Sequence, residues 1–132
     1  MAFTSYDAKQ DVVTVNGVHI TGLAEKFWSF AKKEAMRELS TGAQGDVVSS
    51  ETNDPIYEAE VTVQATSPQA NFLFSLKNVT TPFPIWNNNK QLKRKEGGSQ
   101  ALMTECPSDE REKNAGELTF KFAVIDGDII TE

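Results

Sequence analysis

Apolar and polar residues alternate strictly in two stretches of this chain. Ala59, Val61, Val63 and Ala65 are apolar, and Glu60, Thr62, Gln64 and Thr66 between them are polar. Leu118, Phe120, Phe122 and Val124 repeat the pattern near the end. A period of two places one set on a buried sheet face and the other in water, so both stretches predict half-buried strands. Shorter runs at 11–15, 18–21, 46–50 and 99–106 also read as strands, as do Ile85 and Trp86, with a stop at the asparagines 87–89. Asn16-Gly17 between the first two is a strong two-residue hairpin signal. Pro82 and Pro84 bracket Phe83 and impose extended backbone.

The period changes after the long alternating strand. Ser67 and Pro68 are a suitable N-cap and first helical residue, and Ala70, Leu73, Phe74 and Leu76 follow at near-helical spacing. This predicts a helix over about 68–78. Residues 23–40 are ambiguous. Leu23, Phe27, Phe30, Ala31 and Leu39 fit a helical stripe in a helix-favouring composition, while Trp28 and Phe30 also fit one face of a strand. Local propensity alone favours helix there. Residues 90–98 read as a charged loop ending in glycine, and 107–115 as an exposed charged segment. The pattern predicts a mainly β protein: two packed antiparallel sheets, sandwich-like or barrel-like, with one flanking α-helix near 68–78.

The 132 residues fit a single domain, 1–132. Net charge is −6 and the sequence pI about 4.8, so the chain is not expected to grip nucleic acid. One cysteine, Cys106, allows no internal disulfide, and with the one histidine, His19, it cannot furnish a tetrahedral zinc site of the usual kind. Residues 1–10 lack the apolar core of a signal peptide, and no run approaches the roughly 20 apolar residues of a membrane span. A soluble protein made in a reducing cytoplasm is expected, which makes the sequon Asn78-Val79-Thr80 a chance match.

The candidate chemistry is sparse. A His19–Cys106 nucleophile–base pair is outweighed by an ordinary sheet position for His19. Asp126-Gly127-Asp128 reads as a turn, since the other ligands of a calcium loop are missing. Lys90, Lys93, Arg94 and Lys95 are the one basic cluster. Without interleaved aromatics they suit a solvated tip, or a docking tip for an acidic neighbouring surface, better than base stacking. Trp28 and Trp86 are anchors of a core or an interface, or the walls of a small-ligand β-barrel. These residues argue against an enzyme and call for no cofactor and no metal.

The order of parts resembles the tail tube proteins of contractile-tailed bacteriophages, which are related in fold to the type VI secretion tube protein. The resemblance runs through Asp11-Val12-Val13, Asn16-Gly17-Val18-His19-Ile20-Thr21-Gly22, Gly42-Ala43-Gln44-Gly45-Asp46-Val47 and the stretch 50–54. It is sharpest at Thr66-Ser67-Pro68-Gln69-Ala70-Asn71 with Phe72-Leu73, and ends with 103–107 and the strand 118–124. It implies hexameric rings joined edge to edge by their sheets and stacked into a helical tube within a contractile sheath. The implied partners are the chain itself, the sheath protein, baseplate and tail terminator proteins, and, in the lumen, the tape measure protein and genomic DNA during ejection. The implied location is the virion tail, assembled in the host bacterial cytoplasm.

The resemblance also implies strands at 26–32 and 36–41, joined by a protruding loop at Lys33, Glu34 and Ala35 that contacts the next ring. By strand parity Glu60, Thr62 and Gln64 become lumen candidates, and Lys90, Lys93, Arg94 and Lys95 a loop facing sheath or neighbour. Trp28, Phe30, Phe72 and Phe74 would pack the subunit or its ring contacts. The tube of a tailocin or secretion-type injection particle fits the same residues with a different cargo.

Overall fold

The computed structural model describes residues 11–51, 54–110 and 113–131. The chain is mainly β, in two antiparallel sheets with one short helix. Strands β1 (Asp11–Val15), β2 (Val18–His19), β3 (Leu23–Lys32), β6 (Tyr57–Gln64), β7 (Phe83–Asn89), β8 (Arg94–Glu105), β9 (Glu117–Val124) and β10 (Asp128–Thr131) form the large sheet. Its order is β2-β1-β7-β8-β9-β6-β3, with β10 added to β8. Strands β4 (Arg37–Thr41) and β5 (Val47–Glu51) form a separate hairpin.

Alternation decides which face is buried. Ala59, Val61 and Val63 of β6 oppose Phe122, Phe120 and Leu118 of β9 in register, and all six are buried. On the other flank, Val13, Val15 and Ile85 are fully buried. Both flanks belong to one core, so the sheet folds over on itself around its apolar face. The edge-on contact of Phe83 with Phe122, centroids 5.9 Å apart, and the hydrogen bond from Trp28 Nε1 to Glu96 Oε2 (3.0 Å) join the halves. The sheet does not close into a barrel: among the described residues β3 pairs only with β6.

Helix α1 (Ala70–Ser75) runs on into a 3-10 turn, Leu76–Asn78, matching the predicted span. Ala70, Leu73 and Leu76 face the core, and Phe74 meets Phe120 edge-on at 5.1 Å. The helix start differs from the expectation. Gln69, not Ser67, is the N-cap residue. The Ser67 hydroxyl donates to the carbonyl of Thr21 (2.6 Å), while the Gln69 side-chain oxygen accepts from Thr21 N–H and from its hydroxyl. These bonds tie the helix entrance to the β2–β3 crossing.

The strands that the resemblance implies at 26–32 and 36–41 are present as β3 and β4, and the helix that local propensity favours there does not form, because pairing with β6 overrides the helical composition in β3. Two other expectations change. Strand β7 continues through Asn87–Asn89, since β1 and β8 flank it on both sides. The charged loop expected over 90–98 is a turn only as far as Lys93 (φ 57°), and β8 begins at Arg94.

Candidate functional site

The outer face of β6 and β9 is polar by the same parity that buries their inner face. Glu60, Thr62 and Gln64 lie side by side on it, opposite Lys121, Thr119 and Glu117. The Thr62 and Thr119 hydroxyls are hydrogen-bonded at 3.0 Å. Lys121 Nζ stands 3.8 Å from Glu60 and 3.4 Å from Glu105. With Glu58, the β6, β8 and β9 strands bring four carboxylates (Glu58, Glu60, Glu105, Glu117) to this face around Lys121, and Lys26 of β3 borders it beside Glu60 and Glu117. It is an acidic wall.

The outer face of β1, β7 and β8 is different. Val12, Asn88, Lys95 and Ile130 share one cross-strand row, and Thr14, Trp86 and Gly97 the next. The Lys95 ammonium lies 4.2 Å from the Trp86 ring centroid. The four basic candidates are therefore split. Lys90 and Lys93 sit in the turn, while Arg94 and Lys95 are strand residues, and all four are exposed.

The β4–β5 hairpin has every residue exposed. Leu39 is 71% exposed, Val47 64% and Val48 57%, and Met36 just before it is 58% exposed. Leu39, Thr41, Val47 and Ser49 share one face, while Arg37 and Glu51 pair at the base (2.9 Å). Lys33, Glu34 and Ala35 form the exposed link from β3 into this hairpin. The exposed hairpin is thus β4–β5, and residues 33–35 are the link into it, since β3 pairs with β6 and not with β4.

Strand β3 is the end of the sheet, ten residues long and half-buried along most of its length. Trp28, Phe30 and Tyr57 stack in a row beside this edge, with centroid spacings of 5.9 and 4.7 Å, and the Lys32 ammonium lies over Tyr57. A strand edge of this length leaves main-chain donors and acceptors for a further strand.

No nucleophile–base pair assembles. His19 pairs with Thr14 on the flank near Gly97, whereas Cys106 lies nine residues further along β8 and beyond its end, roughly 30 Å of strand away. In the 126–128 turn the Asp126 carboxylate accepts from the Ser99 hydroxyl and from Gln100 N–H. These bonds, the Ser99 bond foremost, hold its carboxyl below the usual range although partial burial pulls the other way. Asp128 accepts from Ile129 N–H (2.8 Å). Among the described residues no group of three or more His, Cys, Asp or Glu is placed to hold a metal. Trp28 and Trp86 stand on opposite faces of the sheet, so they do not wall one ligand pocket. No described helix is long and apolar enough to cross a membrane.

No family model and no curated protein matches the sequence. Solved structures do match. The anti-feeding prophage cap, described as a tube-terminating cap, superposes with TM-score 0.63 at 12% identity, covering 100% of this chain and 95% of the cap. The sheath/tube terminator of an extracellular contractile injection system, PVC, gives 0.58 at 10% identity, covering 99% and 100%. A chain of the extended PVC sheath–tube complex gives 0.56 at 11% identity, covering 97% and 93%. The chain has the fold of contractile injection particle components. The likeness extends end to end in all three, and at these identities it is a likeness of fold.

Proposed function

We propose that the chain is a ring-forming structural subunit of a contractile-tail particle, phage or phage-derived, and most simply of its tube. The observation that carries the reading is the β4–β5 hairpin. It keeps Leu39, Val47 and Val48 in water, and none of its residues packs against the core of the described residues. A monomer gains nothing from such a hairpin, whereas a neighbouring copy that covers it buries apolar area worth about 25 cal/mol per Å². The outer edge of β3, which no described strand covers, would supply the second half of a head-to-tail contact, which closes into a ring when the rotation divides a circle. Residues 33–35 would set the angle of the hairpin toward the next ring. The acidic face of Glu60, Thr62 and Gln64 would line the lumen, where it repels a passing DNA backbone. Lys90, Lys93, Arg94 and Lys95 would face the sheath or a neighbouring subunit.

A second reading has specific support: two of the matching structures carry the names of a cap and a terminator. Here one ring of this chain would close the end of a tube built from another protein. Sedimentation velocity over rising protein concentration tests both. Species that grow from rings into open-ended tubes support the tube subunit. Rings that stop at one size and bind added tube ends support the cap. A monomer at every concentration and salt contradicts both.

A further inference from the structure

The β4–β5 hairpin has a sign of charge as well as apolar side chains. Over residues 37–51 it carries Glu38, Asp46 and Glu51 against one cation, Arg37, which Glu51 already engages. Leu39 and Val47 lie diagonally on one of its faces, and Asp46 directly precedes Val47. A surface that covers this hairpin must offer apolar area with positive charge at its rim.

The outward sheet faces differ in this respect. That of β6 and β9 is acidic and repels such a hairpin. That of β1, β7, β8 and β10 has the opposite character. Val12 and Ile130, at the two ends of one cross-strand row, are 41% and 44% exposed. Lys95, beside Ile130 in that row, folds its ammonium onto Trp86, so its hydrocarbon stem and the indole ring extend the apolar surface with a charge at the rim. Asp128 is the one carboxylate of this row and the next, and it already accepts from Ile129 N–H. Lys90 and Lys93 adjoin the face in the β7–β8 turn. Among the described residues no carboxylate forms an ion pair with Lys90, Lys93, Arg94 or Lys95. The row from Val12 to Ile130 spans three strand spacings, about 14 Å, which seats a two-stranded ribbon whose strands are about 5 Å apart.

We propose that this face receives the β4–β5 hairpin of a second copy. Leu39 and Val47 rest on the surface made by Trp86, the Lys95 stem and Ile130, and Asp46 faces Lys93 and Lys95. Each copy offers a hairpin at one contact and a face at another, so the contact is heterologous and passes from copy to copy, leaving the β3 edge for the contact that closes a ring. The proposal rests on the ring-forming reading and names the surface that the hairpin meets on the next ring.

Sedimentation velocity of full-length charge variants tests the contact, at concentrations where the wild type forms higher-order species. Lys95→Glu and Asp46→Lys should each lower the association constant roughly tenfold, with melting temperatures close to wild type because both residues are exposed. The double variant Asp46→Lys/Lys95→Glu sets opposite charges across the contact again and should recover association. Ile130→Asp removes apolar area and leaves Asp46, Lys93 and Lys95 in place, and it should weaken association likewise. Lys77→Glu makes the same change of charge at an exposed residue outside the contact and should leave association unchanged. Association of Lys95→Glu and Ile130→Asp at wild-type strength, or a double variant no better than its single variants, overturns the contact and leaves the ring reading standing. A wild type that stays monomeric at every concentration and salt contradicts both.

Discussion

A Cβ built on Gly97 would stand 2.1 Å from the carbonyl oxygen of Ile85, and the residue holds φ at +136°. Only glycine fits that crossing of β7 and β8, so Gly97→Ala should lower unfolding free energy in urea by about 2 kcal/mol or more. Phe120, fully buried and in edge contact with Phe74, should lose about 3–5 kcal/mol on truncation to alanine. Asp126 gives a pH prediction. Its carboxyl titrates below the ordinary range in the folded chain because Ser99, and then the Gln100 amide, donate to it. A folded pKa below the unfolded one means that the stabilisation is complete above the unfolded value. It is lost as pH falls through the folded one. Asp126→Asn should therefore be slightly less stable than wild type at neutral pH, by a margin kept small by exposure. The two melting temperatures should converge in acid. The buried set 59, 61, 63 and 118, 120, 122, 124 was readable from alternation alone. The burial of Asn87 and Asn89 was not, because asparagine has low strand propensity and only the flanking strands β1 and β8 hold it extended.

Among the elements, the strands around Asn16-Gly17, the long strand β6, strand β9 and the helix after Ser67 follow from local pattern. Segment 23–41 does not. Its composition favours helix, and only pairing makes it extended: β6, distant in sequence, holds 23–32, and the nearby β5 holds 37–41. Parity within β6 placed Glu60, Thr62 and Gln64 together on one outer face, where they are found. Nothing local brings Glu25, Trp28, Asn87 and Glu96 together, since they come from β3, β7 and β8 and meet only when the sheet folds over. The β4–β5 hairpin separates folding from assembly. Leu39→Asp alters a residue that is 71% exposed, so monomer stability in a thermal melt should change by less than about 0.5 kcal/mol. Sedimentation of the same variant should show higher-order species reduced severalfold or lost. A large loss of stability would mean that the hairpin packs on its own subunit instead.

At the scale of the whole molecule, the net charge of −6 is unevenly spread. Four carboxylates crowd the outer face of β6 and β9, and the basic residues 90–95 gather at the turn and start of β8. The fold thus presents an acidic wall, a basic tip, an open strand edge and a wet apolar hairpin in fixed relation. On the proposed reading, the edge and the hairpin are the parts through which copies of the chain would complete one another. Cryo-electron microscopy of the assembled material tests this most directly. The account predicts closed rings in which the outer edge of β3 is hydrogen-bonded to a strand of the adjacent copy and Leu39 is buried against another chain. Rings or particles in which β3 stays open to solvent and the hairpin touches nothing would contradict it.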